Sequence, residues 1–167
     1  MRKKPSVVRI LLGTIALAGI GAASFRFLPL PDLDHVRFAA CGANLKLVSL
    51  ALTLYAQDTG GRYPASPLAL IPRYLTNELP LRCPARPRVT AADIRRNPTV
   101  CYEYVPGLTA KSPRLCFLLY DREGNHRGIE RGSRTVLFAS GVVQSFKRGE
   151  WPAAWGASLA ASRPPPR

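Results

Sequence analysis

From His35 to Asp58 the apolar positions repeat with a helical period. Cys41, Leu45, Val48, Leu52 and Tyr55 follow one another at steps of four, three, four and three, which draws a single apolar stripe. Leu47, Leu50 and Leu54 add a second apolar face, and Lys46, Ser49, Thr53 and Gln57 are confined to a narrow polar strip. Asp32 or Asp34, just after Pro29 and Pro31, is placed to cap the start of this helix. Gly60-Gly61 is placed to close it, because glycine takes the left-handed conformation without a Cβ clash. So apolar a rod needs cover on more than one side. The chain's own sheet supplies one side, and a neighbouring subunit or loops the other.

The pattern changes beyond the helix. Ser66 caps a short helix with Pro67 in its first turn and Leu68, Leu70, Ile71, Tyr74 and Leu75 along it. Residues 80–99 are rich in proline and arginine and read as a loop. Strand signals follow at Val100–Val105, Leu115–Tyr120, Thr135–Ala139 and Val142–Phe146, the last two joined by a two-residue turn at Ser140-Gly141. Residues 151–167 read as a disordered tail, with Trp151 and Trp155 resting on the body. Before the helix, residues 2–9 are basic and Ile10 to Phe25 carry no charge. That order marks an export signal with its N-terminus held in the cytoplasm. Ile10, Leu11, Leu12, Ile15, Leu17 and Ile20 are its anchoring residues, while Gly21-Ala22-Ala23-Ser24 offers a peptidase site as the alternative. The expected organisation is an anchor and proline linker at 1–31, a folded α+β body at 32–150 and a tail at 151–167.

Composition sharpens this only in part. The 167 residues carry a net charge of +14, which favours anionic partners such as nucleic acid, lipid headgroups or envelope polymers. The basic residues are scattered along the chain, as compositional drift in an arginine-, alanine- and proline-rich proteome also produces. The four cysteines, Cys41, Cys83, Cys101 and Cys116, allow two disulfides in an exported chain. Cys83 and Cys101 bracket the proline-rich loop, and Cys41 with Cys116 would tie the helix to a strand. Cys41 and Cys116 also fit as small buried hydrophobes. With no CxxC pair and only two histidines, a structural zinc site is not expected.

Several phrases occur in a fixed order over residues 35–146: Cys41-Gly-Ala-Asn44-Leu45-Lys46, Gly60-Gly61-Arg62-Tyr63-Pro64, Leu81-Arg82-Cys83-Pro84-Ala85, Tyr102-Glu-Tyr104-Val105-Pro106-Gly107, Tyr120-Asp121 with Gly124-Asn125-His126, and Val136-Leu137-Phe138-Ala139-Ser140-Gly141-Val142-Val143. Together they resemble the type IV pilins and the proteins related to the major pseudopilin of type II secretion. The resemblance implies a pilin-like fold, a long N-terminal helix packed on a small antiparallel sheet. It also implies a structural or accessory part in a secretion or surface assembly, anchored in the cytoplasmic membrane with its body outside. Membrane and other secretion-system subunits would be its partners. The chain departs from the family at its N-terminus, where no acidic residue precedes Asp32, and at Ser140, where relatives carry aspartate.

Three sets of residues suggest chemistry. Asp121, Glu123 and Asn125 alternate as oxygen ligands do in a calcium loop, and the resemblance implies calcium near this sheet. Arg122, Arg127 and Arg131 interleave with them, and Asp-x-x-Gly-Asn is equally an ordinary turn. Cys116, Asp121 and His126 form a conceivable nucleophile, orienter and base of a secreted hydrolase, with His126 bonding across the hairpin as the structural alternative. Gly141 is expected as a structural turn residue. No phosphate loop, nucleophile elbow or His-Glu metal motif occurs. The balance favours a structural protein over an enzyme, with capture of DNA or another anionic polymer as the second reading.

Overall fold

The computed structural model describes residues 33–127 and 131–162. The expected anchor residues Ile10, Leu11, Leu12, Ile15, Leu17 and Ile20 lie outside them.

Helix α1 runs Leu33–Asp58, and Asp34 sits in its first turn, where a carboxylate faces the exposed amide ends. It ends on the two glycines. Gly60 takes φ 68°, and the Gly61 N–H donates to the Ala56 carbonyl at 2.7 Å. The buried residues of α1 are Cys41, Leu45, Val48, Ala51, Leu52 and Ala56, so the stripe read from spacing is the buried one. Tyr55 is partly buried against the same core. The second apolar face is uncovered among the described residues, with Leu47, Leu50 and Leu54 exposed by 52, 60 and 42%. By length and composition α1 is also apolar enough to cross a membrane, but its buried face is the core of the folded body.

A four-stranded sheet lies beneath α1, formed by β1 (Tyr102–Tyr104), β2 (Phe117–Asp121), β3 (Arg134–Phe138) and β4 (Val143–Phe146). Their spatial order is their chain order and every neighbouring pair is antiparallel. The body is therefore α+β, an N-terminal helix on a four-stranded antiparallel sheet. Between Phe117↔Phe138 and Leu119↔Leu137 the β2–β3 register slips by one residue at Leu118. Such a bulge lets two consecutive residues serve one side, and Leu118 and Leu119 both join the core under α1 with Leu137. Each fully buried leucine there contributes about 1.5–3 kcal/mol.

The last hairpin differs from the two-residue turn expected. Leu137 pairs with Val143 and the Phe138 N–H donates to the Val142 carbonyl, which leaves a three-residue loop, Ala139-Ser140-Gly141. The Gly141 N–H returns to the Phe138 carbonyl and Gly141 takes φ 83°, the left-handed position that three-residue hairpins need. The Ser49 hydroxyl of α1 donates to the Gly141 carbonyl at 2.8 Å, locking this turn to the helix.

Two segments expected to lack structure are ordered. Within residues 80–99, Thr90 and Asp93 form a reciprocal capping box that starts a short helix α2, Ala91–Arg96. The region 151–162, read as a disordered tail, is helix α3, Trp151–Ser162. The sheet face turned away from α1 carries Phe117, Tyr120, Val136, Phe138 and Phe146, an apolar surface that water would cover poorly. Trp151 and Trp155 close over it at 5.4 and 5.6 Å from the Phe117 ring. The Phe117 N–H donates to the Ser158 hydroxyl at 2.9 Å, and the Arg134 guanidinium lies 4.2 Å from the Trp151 ring centre. The short helix expected after Ser66 shrinks to a 3-10 turn, Pro67–Leu70, with the Leu68 N–H donating to the Ser66 hydroxyl.

Candidate functional site

Four buried side chains from separate parts of the chain converge under the first turns of α1. Cys41 comes from α1, Cys83 from the loop after a 3-10 turn at Leu79–Leu81, Asp121 from the end of β2, and His126 from the turn that follows it. One ligand atom of each lies within 4.8 Å of the other three. The two sulfurs are 3.1 Å apart. The Asn44 amide donates to the Arg82 carbonyl at 2.9 Å and so pins α1 to the chain beside Cys83.

Asp121 is fully buried and both of its carboxylate oxygens accept hydrogen bonds. Its Oδ1 accepts from the Asn125 amide at 3.1 Å, and its Oδ2 accepts from His126 Nε2 at 3.0 Å and from the Thr135 N–H at 2.9 Å. The Asn125 amide also donates to the Cys101 carbonyl at 2.6 Å, which ties the turn to the start of β1. The edge of His126 meets Phe38 of α1, with ring centres 4.9 Å apart. Asp121 and Asn125 thus serve as the joints that hold the β1 end, the turn and β3 in one place.

This arrangement sorts the sequence candidates. Asp121, Glu123 and Asn125 do not share a calcium site. Glu123 points to solvent, 88% exposed, beside Arg134 at 3.3 Å, while Asp121 and Asn125 are buried and bonded to each other. The strand ends at Asp121 and the chain turns, with the Asn125 N–H donating to the Arg122 carbonyl at 3.3 Å, so the period of two that would keep the three side chains on one face is broken, and Glu123 pairs with Arg134 outside. Asp121 and His126 are together, but Cys116 is not with them. It precedes β2 at the opposite end of the strand, about five residues or ~16 Å from Asp121. The thiols beside the Asp–His pair are Cys41 and Cys83. The expected partners also change: Cys41 meets Cys83, not Cys116, because the Cys83 loop folds back under α1. Cys101 borders the same cluster, with its thiol beside the Cys83 backbone.

Contact with the Cys41 thiol and then burial push the Cys83 thiol far above the ordinary range, and nearby His126 opposes this weakly. Burial raises Cys101 as well. Burial raises the Tyr102 hydroxyl, with the adjacent Cys41, Asp121 and Cys83 groups adding to it. Cys83 and Cys101 are therefore held in the thiol form, the opposite of an activated nucleophile. The donor set is of the zinc type, although the cysteine spacing did not suggest zinc. Two thiolates on one tetrahedral zinc stand about 3.7 Å apart, given Zn–S bonds of about 2.3 Å. The sulfurs here are closer than that, and Asp121 already accepts three hydrogen bonds.

A cleft of about 870 Å³ opens beside the cluster. Arg37, Arg86, Arg88, Arg96 and Arg127 line it, with Asp93 as the one acidic residue among the described residues of the lining. Asp93 is held in the Thr90 capping box, whose hydrogen bonds keep its carboxyl below the ordinary range. Arginines that look scattered in the sequence are gathered here from α1, the Cys83 loop, α2 and the turn after β2. No local motif marks them.

Comparison of the chain with family models, with curated proteins and with solved structures yields no match.

Proposed function

We propose that the chain is an exported, membrane-tethered structural subunit of a pseudopilin-like assembly. The observation that carries this reading is the outer face of α1. A helix whose inner face forms the core presents Leu47, Leu50 and Leu54 to solvent along its length. An apolar row on a rigid rod is a lateral packing surface, and it matches the resemblance of residues 35–146 to proteins that assemble through their long helices. The test places a photo-crosslinking residue at Leu50 in the full chain in its host membrane, with Arg114 as the control position. Crosslinks from position 50 to a second copy or to another envelope-assembly subunit are expected. Crosslinks to lipid alone, or none, would remove the proposal.

The arginine cleft favours a second reading, capture of an anionic polymer. Among the described residues its lining includes no aromatic side chain, so recognition there would rest on phosphate or carboxylate groups and not on base stacking. A gel-shift assay with DNA at low salt separates the readings. Retardation that Arg88→Glu and Arg127→Glu abolish supports capture, and no retardation removes it.

A further inference from the structure

We propose that Cys41 and Cys83 are joined by a disulfide in the working protein, a staple that fixes α1 against the arginine-bearing loop. The two sulfurs are already in contact at 3.1 Å, both are fully buried, and 42 residues separate them in the chain. Asp121, the acidic neighbour of the pair, already accepts from Asn125, His126 and Thr135, so the sulfurs meet each other and not its carboxylate. The staple would link two segments that line the cleft. Arg37 lies one helical turn before Cys41, and Arg86 and Arg88 lie three and five positions after Cys83, so the bond joins the two stretches that carry them.

The oxidant is a small or protein disulfide, taken as oxidised glutathione. One cysteine thiolate attacks a glutathione sulfur, forms a mixed disulfide and expels the first glutathione thiolate. The second cysteine, deprotonated in turn, attacks the protein sulfur of that mixed disulfide and expels the second. One S–S bond forms and one breaks, two electrons pass to glutathione, and the two thiol protons end on the two glutathione thiolates. Because both thiols are buried and the Cys83 thiol is pushed up, exchange occurs during folding or on transient opening of the Cys83 loop, and the closed bond is shielded from reductant.

The proposal rests on the exported reading only for the supply of an oxidant, and two arms keep the failures apart. First, the purified full chain is refolded in detergent with oxidised and reduced glutathione, alkylated and mapped by mass spectrometry, with and without zinc. The expected result is a Cys41–Cys83 linked peptide, formed equally in the Cys101→Ser/Cys116→Ser variant, which keeps the test open if Cys41→Ser fails to fold. Trypsin should cut after Arg88 at least about tenfold more slowly in the oxidised protein than in the reduced one. A Cys83–Cys101 link, or two alkylatable thiols protected by a stoichiometric zinc ion, would overturn the staple. Second, thiols are trapped in intact cells. Trapping the bond supports the proposal. Pairing in vitro with both thiols reduced in the cell would overturn the exported reading, and with it the working-state bond.

Discussion

Replacing Asp121 with alanine strips three donors of their acceptor in one step. Asn125, His126 and the Thr135 N–H all point at this carboxylate from within 3.1 Å, at a site with no solvent exposure. Each buried donor left without a partner costs about 1–3 kcal/mol, so the low end of that range already gives ~3 kcal/mol. For a domain whose whole stability is about 5–15 kcal/mol, that is a large share. Urea unfolding followed by tryptophan fluorescence reads it directly, because Trp151 and Trp155 lie on the sheet face next to the strand that carries Asp121. With a urea slope of about 1–3 kcal/mol per molar, the midpoint should fall by about 1–3 M at unchanged slope. Asp121→Asn, which keeps one carbonyl acceptor, should lose less. The double variant Asp121→Ala/His126→Ala should fall short of additivity by about 1 kcal/mol, because the two share one bond. Measurements belong in both oxidised and reduced protein, so that the cysteines do not confound them. A midpoint shift under about 0.5 M for Asp121→Ala would refute the claim that this carboxylate is the joint of the β-sheet end.

Two further outcomes follow from the packing and the charges. Leu45→Ala, at a fully buried position of α1, should cost about 2–5 kcal/mol of unfolding free energy, whereas Leu50→Ala on the outer face should stay within about 0.5 kcal/mol in the same assay. Glu78 has its carboxyl held below the ordinary range by its own backbone hydrogen bond and then by Arg95, with which it is ion-paired. A lowered folded value means stability that is fully present above the unfolded pKa and is lost as pH falls through the lowered folded one, so the urea midpoint should drop as pH falls below about 5. Glu78→Gln should flatten that drop, and an unchanged acid profile would count against the pair.

The legible parts of this protein are those whose cause is local. The α1 stripe at Cys41, Leu45, Val48 and Leu52 follows from helical period, and its end follows from Gly60-Gly61. The four strands were legible from runs of β-formers, to within a few residues at each end. The Thr90–Asp93 capping box was visible in the sequence as well, but the surrounding prolines and arginines masked the short helix it starts. The α3 helix escaped because its segment has little amphipathic pattern of its own. Its order comes from Phe117, Tyr120 and Phe138, which lie at least thirteen positions earlier in the chain. The hairpin loop length was missed because register is a property of two strands, and Ser140-Gly141 suits a two- or a three-residue connection.

The sequence by itself determined the rod and its glycine end, the positions of the strands and the residue types available for chemistry, since each depends on neighbours a few positions apart. Tertiary structure alone decided which of those residues meet. It placed Cys41 against Cys83 and not Cys116, spent Asp121 on three donors in place of calcium, and drew Arg37, Arg86, Arg88, Arg96 and Arg127 into one cleft. The physical reason is that such meetings are set by chain reversals and by the burial of whole faces. Those depend on contacts across tens of residues, and no local period encodes them.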